Sequence, residues 1–168
     1  MRNVVPGIVE RAVHQDCRAI LALRRAAEQS LASRGIEQWP AGEVSLADIT
    51  TQVDSGQWHV LREGDELAGA LRLLWSDQPV WQHENGFAAY VHGLMVNRRR
   101  SGSGVGARLL RWAGDQGRNA GARELRLDCG ESNLPLRAYY ARQGFHEVGR
   151  RDFDDAWFSV VLLTKPLT

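Results

Sequence analysis

The pattern of apolar residues along the 168-residue chain predicts a mixed α/β domain. The order is strand, two helices, three strands, helix, strand, helix, two strands. Three observations carry this prediction. Several stretches repeat apolar residues at helical spacing, short apolar or alternating runs bounded by turn residues fall between them, and two such runs flank a Gly-Asp turn. That hairpin argues against a purely parallel sheet.

Taken in order, "GIVERAV" (7–13) reads as the first strand. A helix then runs from Asp16, a plausible N-cap, to about Gly35, and "SLADITTQVDSG" (45–56) is a second, shorter one. The hairpin is "WHVLREGDELAGALRLLW" (58–75), and "SDQPVWQHENG" (76–86) is a loop. "FAAYVHGLMV" (87–96) is apolar enough for a buried central strand. Residues 104–120 form a helix through Val105, Leu109, Leu110 and Ala113, which Gly114 and Gly117 weaken by roughly 1 kcal/mol each. The strand "ELRLDC" (124–129), the helix "LPLRAYYARQ" (134–143) and the strands "FHEVGRRDF" and "WFSVVLLTK" complete the chain. Nothing repeats and no low-complexity linker intervenes, so residues 1–168 read as one domain.

An apolar fraction of 43% with 24% charged residues is ordinary for a globular protein, and a net charge of +1 gives no attraction to nucleic acid or to acidic membranes. Lys165 is the only lysine, a bias that reads first as genomic composition. Cys17 and Cys129 match no zinc spacing, and neither a signal-peptide pattern nor a membrane-length apolar run is present. The expectation is a cytoplasmic protein without a metal.

"RRRSGSGVGARLL" (98–110) joins the central strand to the following helix through alternating glycines. A strand, a glycine turn and a helix N-terminus together form an anion site, because unpaired N–H groups face outward and no side chain blocks approach. A P-loop would need Gly-Lys-Ser/Thr, and no lysine is near. Gly102, Gly104 and Ala107 do spell the dinucleotide pattern G-x-G-x-x-A, with Asp128 at the end of the next strand. Only 40 residues follow Asp128, too few for the second half of such a fold. Coenzyme A, whose pyrophosphate suits the same backbone, is the third candidate.

With "LMVNRRRSGSGVGARLL" and "LRLDCGESNLPLRAYYARQGF" the chain resembles the GNAT superfamily of acetyl-CoA-dependent N-acetyltransferases. The two motifs lie within residues 94–145. They are Arg/Gln-x-x-Gly-x-Gly/Ala, then an Asn followed seven residues later by Tyr and by x-x-x-Gly-Phe, here Asn133, Tyr140, Gly144 and Phe145. One position departs from the pattern: the usual Arg or Gln falls on Ser101. The resemblance implies the GNAT fold, with a mostly antiparallel central sheet of about six to seven strands and about four helices.

It also implies the site. Acetyl-CoA would be held by the backbone of Ser101, Gly102, Ser103, Gly104, Val105 and Gly106, by main-chain groups of Leu94, Met95 and Val96, and by Asn133 and Tyr140. A bulge near Leu94 and Met95 would expose the N–H that receives the oxyanion. Tyr140 stands at the general-acid position beside the sulfur, with Tyr139 the better fit to a core role. Either His92 or Asp128 would be the base, unless a water chain serves. The acceptor loops contribute Glu37, Trp39, Trp75 and Trp81, with the acids Asp77 and Glu84 near them, a composition suited to a cationic amine. The leading reading is therefore acetylation of a small primary amine in a ternary complex. A protein lysine or N-terminal acetyltransferase and a non-catalytic coenzyme A-binding module are the alternatives, and the resemblance leaves a homodimer open.

Overall fold

The computed structural model describes residues 7–36, 38–83, 85–153 and 158–168. Its strands are β1 (Val9–Arg11), β2 (Trp58–Glu63), β3 (Glu66–Leu74), β4 (Ala88–Val96), β5 (Glu124–Gly130), β6 (His146–Asp152) and β7 (Ser159–Pro166). The helices are α1 (Cys17–Ser33), α2 (Leu46–Asp54), α3 (Gln78–Trp81), α4 (Val105–Ala120) and α5 (Leu134–Arg142). Among the described residues the seven strands make one sheet in the order β1-β2-β3-β4-β5-β7-β6. Every neighbouring pair is antiparallel except β4 with β5.

Helices cover both faces. On one, α4 and α5 pack Leu109, Leu110 and Tyr140 against Leu71, Val91, Leu125 and Leu163. On the other, α1 and α2 bring Ile20, Ile49 and Val53 against Val60, Ala70 and Met95. The alternation of side chains along a strand explains the division, since Val60 and its neighbour Leu61 enter opposite clusters. Among the described residues no helix is long and apolar enough to cross a membrane.

Local chemistry sets most of the boundaries. The hairpin turns at Gly64, whose φ of +64° favours glycine. Helix α2 starts on a reciprocal cap: Asp48 N donates to Ser45 Oγ at 3.1 Å, and Ser45 N donates to Asp48 Oδ2 at 2.9 Å. Asp16 does not cap α1 with its side chain. Its buried carboxylate instead accepts from Val13 N and takes both arms of the Arg62 guanidinium, at 2.8 and 2.7 Å. Burial raises its pKa, but these donors outweigh burial and hold the carboxyl below its ordinary value.

One α-helix lies where the sequence predicts a loop. Residues 78–81 form the single turn α3 inside the expected 76–86 loop, with Pro79 in its first turn, where the missing N–H costs nothing. The glycines expected to weaken α4 have a packing role. A Cβ on Gly117 would lie 2.7 Å from a Leu167 methyl, so the C-terminal segment packs on this helix because the position is glycine.

Gly69 on β3 has the same logic where it matters more. A Cβ there would meet Leu109 Cδ1 at 2.8 Å, Met95 O at 2.8 Å and Val105 Cγ1 at 2.9 Å, and the backbone oxygen cannot move aside. Glycine therefore sets how closely the first turn of α4 approaches the sheet. Gly69→Ala is expected to destabilise the fold by about 1–3 kcal/mol, measured by urea denaturation, with the loss appearing in the midpoint rather than in the slope.

Candidate active site

The parallel ladder between β4 and β5 is short. It pairs Ala88 with Glu124, Ala89 with Leu125 and Tyr90 with Arg126, and then stops. On its other edge β4 bulges. Ala70 and Arg72 of β3 pair with Met95 and His92, so one β3 residue, Leu71, faces two on β4, Gly93 and Leu94. Gly93 takes a φ of +59° to make the bulge. Past these points the strands part around a cavity of about 670 Å³, flanked by Val91, His92, Leu94 and Val96 on one side and Asp128 and Cys129 on the other.

One end of the cavity is the glycine loop. Asn97 ties it to β3 through Asn97 N to Ala68 O at 2.8 Å, and its side chain accepts from Arg99 N. Gly102 and Gly104 have φ of +78° and +83°, and a Cβ on either would find nothing within 4 Å, so the loop is open where a ligand would approach. The first hydrogen bond of α4 is from Arg108 N to Gly104 O at 3.1 Å. The amides of Val105, Gly106 and Ala107 therefore precede the helical ladder and line the cavity beside Ser101. The arginine run is largely committed elsewhere: Arg99 pairs with Glu66 at 3.1 Å, and Arg100, which also lines the cavity, pairs with Glu63.

Helix α5 places a tyrosine deep in the cleft, and both of its ends fix where. Asn133 Oδ1 accepts from Leu136 N at 3.3 Å to cap the start. Gly144, at φ +92°, ends the helix, with Phe145 N donating to Tyr140 O at 3.0 Å. Phe145 packs edge-on against the Tyr140 ring. Burial, then Cys129, Tyr139 and Asp128, push the phenol pKa up, so it stays protonated. The Tyr140 hydroxyl makes no hydrogen bond to another described residue. Tyr139, expected in a core role, packs half-buried against the core cluster and also lines the cavity, with its hydroxyl 2.7 Å from where a Gly106 Cβ would be.

His92 and Asp128 line the cavity, and Asp77, which does not line it, joins them in one cluster. Asp77, His92 and Asp128 each bring a polar atom within 4.8 Å of the other two. His92 Nε2 stands 2.8 Å from Asp77 Oδ2. Asp77 is fixed by α3, since Trp81 N donates to its carbonyl at 2.8 Å. Burial pushes Asp128 up to about 6; His92 pulls it down and Asp77 pushes it further up. Cys129 rises to about 12, first by burial and then by Asp128, which leaves an inert thiol.

At the other end, Trp39 lines the cavity beneath the Arg24 guanidinium, 4.2 Å from its ring centroid, while Arg24 also binds Glu28 and Glu43. Gln38 Oε1 accepts from Gly130 N at 3.1 Å and from Asn133 Nδ2 at 2.9 Å, tying this loop to the end of β5. Phe153 and Phe158 complete the wall. They were not foreseen, because they come from the far end of the sheet in a stretch with no motif.

The cavity thus gathers Trp39, His92, Leu94, Val96, Ser101, Gly102, Gly104, Val105, Gly106, Asp128 and Tyr140 from the sequence-derived set. Met95, Ser103, Asn133, Trp75 and Trp81 do not line it. Met95 faces α1 and α2 across the sheet, and the Ser103 hydroxyl turns back to Arg100 O. The Asn133 side chain is committed to its cap and to Gln38. Trp75 stacks on Phe87 with centroids 5.6 Å apart, both exposed, and Trp81 lies edge-on to Tyr90 beneath Arg126. Glu37 and Glu84 lie outside the described residues.

Comparison with known proteins agrees with this geometry. The family model described as acetyltransferase (GNAT) family matches residues 19–145. The uncharacterized N-acetyltransferase YesJ of Bacillus subtilis is 33% identical over 149 residues, spanning 82% of this chain and 81% of its own. A GNAT-family acetyltransferase from Listeria monocytogenes superposes with a TM-score of 0.78 at 25% identity, over 96% of this chain and 95% of that one. The ribosomal-protein-alanine N-acetyltransferase of Brucella melitensis shares the fold, with a TM-score of 0.73 at 19% identity over 95% and 99% of the two chains.

The half-buried Asp128 carboxyl has a signature in stability. Asp128 titrates near 6 in the folded chain against 3.8 when exposed. The folded state therefore holds this proton more tightly, and the stability it confers is lost as pH rises from about 4 to 6. In a series of thermal melts Asp128→Asn should flatten that decline and melt above the wild type at pH 7. Parallel curves for the two proteins would contradict the assignment.

Proposed function

The chain belongs to the GNAT acetyltransferase family, and from that premise we propose that it acetylates the primary amine of a small molecule, by direct transfer from acetyl-CoA in a ternary complex. The observation that carries this reading is the juxtaposition around one cavity of a glycine cradle, the tyrosine Tyr140 and the His92 and Asp128 side chains. Bound acetyl-CoA would supply the acetyl thioester.

The chain's own groups fit the other requirements. The amides of Val105, Gly106 and Ala107 and the open backbone of Ser101–Gly104 suit a pyrophosphate. The bulge frees main-chain groups of Gly93 and Leu94 from β3, so the Leu94 N–H can serve a developing oxyanion and Val96 can hold the pantetheine arm. Tyr140, kept protonated by burial, can give its proton to the departing sulfur and recover one from solvent. His92 and Asp128 face the position where an amine would lose its proton.

The size of the acceptor is argued from the loop at 38–44. Gln38 bridges to Gly130 and Asn133 across the end of β5, where an extended peptide would need an open groove. The aromatic wall of Trp39, Phe153 and Phe158 suits a compact organic cation. A cytoplasmic setting, where acetyl-CoA is available, is part of the same proposal.

Thiol release with acetyl-CoA should occur with small primary amines and not with peptides; turnover confined to peptides would sink the small-molecule reading. A raised melting temperature with acetyl-CoA but no turnover of any acceptor would instead support a binding module. Tyr140→Phe should lower kcat by about 10²-fold or more while the Kd for acetyl-CoA stays within about threefold. Gly104→Val should do the opposite. Its β-branched side chain at φ +83° both strains the loop and fills the cradle, so calorimetry should show acetyl-CoA affinity reduced at least about tenfold.

A further inference from the structure

Asp77 and His92 are fifteen residues apart and come together only through the fold. Asp77 is just 7% exposed, and α3 holds its backbone. An ionised carboxylate accepts hydrogen bonds and donates none, so the proton in the 2.8 Å contact with Asp77 Oδ2 belongs to His92 Nε2. In a neutral ring the lone pair then sits on Nδ1, the one nitrogen left for a substrate.

We infer that Asp77 is a positioning residue that fixes His92 in the Nε2–H form, and that His92 Nδ1, rather than Asp128, takes the proton from the acceptor amine. This rests on the acetyltransferase reading above. In the step, the N–H bond of the substrate ammonium breaks and its electron pair stays on nitrogen. The proton bonds to Nδ1, while the Nε2 proton stays in its bond to Asp77. One positive charge passes from ammonium to imidazolium, so the cavity's net charge does not change. The imidazolium returns its proton to solvent after turnover.

The surroundings favour this assignment. Among the described residues, the charged groups facing His92 are Asp77 from the segment before α3, Asp128 from β5 and Arg72, its register partner on β3. Both carboxylates stabilise an imidazolium. Arg72 opposes it, but its guanidinium is drawn to Gln57 Oε1 at 2.7 and 3.2 Å and feels the charge of Asp77. Among the described residues no hydrogen bond orients the Asp128 carboxylate, whereas His92 is held by Asp77 at 2.8 Å. The fitting role of Asp128 is to receive the ammonium group before the proton moves.

Nitrogen-15 NMR of histidine-labelled protein tests the inference without any substrate, with His92 assigned by loss of its signals in His92→Gln. The wild type should show the Nε2–H tautomer at high pH, and Asp77→Asn should lose that preference. Once an acceptor is known, Asp77→Asn should reduce kcat by about 10²- to 10⁴-fold, leave KM for acetyl-CoA unchanged, and move the acid limb of the pH–rate profile to lower pH. Asp77→Glu should restore part of the rate. Asp128→Asn should retain the limb and raise KM for the amine. An Nδ1–H tautomer in the wild type would overturn the inference even if Asp77→Asn failed to fold. So would an acid limb that follows Asp128, or activity abolished by a chelator and restored by zinc, which would make the three groups metal ligands. Failure of every amine to react would refute the acetyltransferase reading alone, because the tautomer is read on the free protein.

Discussion

Three paired residues on β4 and three on β5 hold the two halves of the sheet together, and the shortness of that ladder is the constraint on which the site depends. The join is secured at its last rung. The buried Arg126 donates to Glu124 at 2.7 Å, to the Tyr90 hydroxyl at 2.8 Å and to Asn85 O at 2.8 Å, with Trp81 against its face. A guanidinium so fully occupied fixes both strands at the point where they separate. Beyond it the bulge at Gly93–Leu94 turns β4 away, while β5 continues beside β7 as far as Gly130. The cleft is thus built into the strand pairing and needs no moving part.

The two ends of the cleft obey different physics. The anion end is made of backbone: left-handed glycines, a helix start without side-chain obstruction, and Gly69 beneath it to let α4 sit close to β3. The opposite end is made of side chains whose charges are costly to bury, and two of its charged groups are held by partners. Asp77 has His92, while Arg24 has Glu28, Glu43 and the face of Trp39. Tyr140 stands between the two ends, located by the caps of a nine-residue helix.

Local signals were enough to read most of the fold. Apolar periodicity, the Gly-Asp turn and the capping residues gave the element order, because those features act within a few residues of one another. Helix α3 was missed since one turn is too short to repeat a pattern. The glycine loop and the Asn133–Tyr140–Gly144–Phe145 spacing were legible for the same local reason: each serves one turn or one helix. The acceptor end was read less well. Loop composition suggested Trp75 and Trp81 as well as Trp39, yet only the packing decides which indole turns inward, and Trp81 is drawn to Arg126 and Tyr90 instead. The contact of Asp77 with His92 crosses a loop and part of a strand, and no spacing rule encodes it.

Cys129 gives the cleft a chemical property of its own. On the acetyltransferase reading every turnover liberates a thiol beside this residue, and a protein sulfur so placed invites a mixed disulfide. Exchange and oxidation run through the thiolate. With its pKa near 12 and its side chain 1% exposed, Cys129 supplies almost none at neutral pH. The same burial that enforces a protonated Tyr140 therefore spares the site from capture by its own product, and lets a small soft side chain fill the cleft wall without becoming a redox liability.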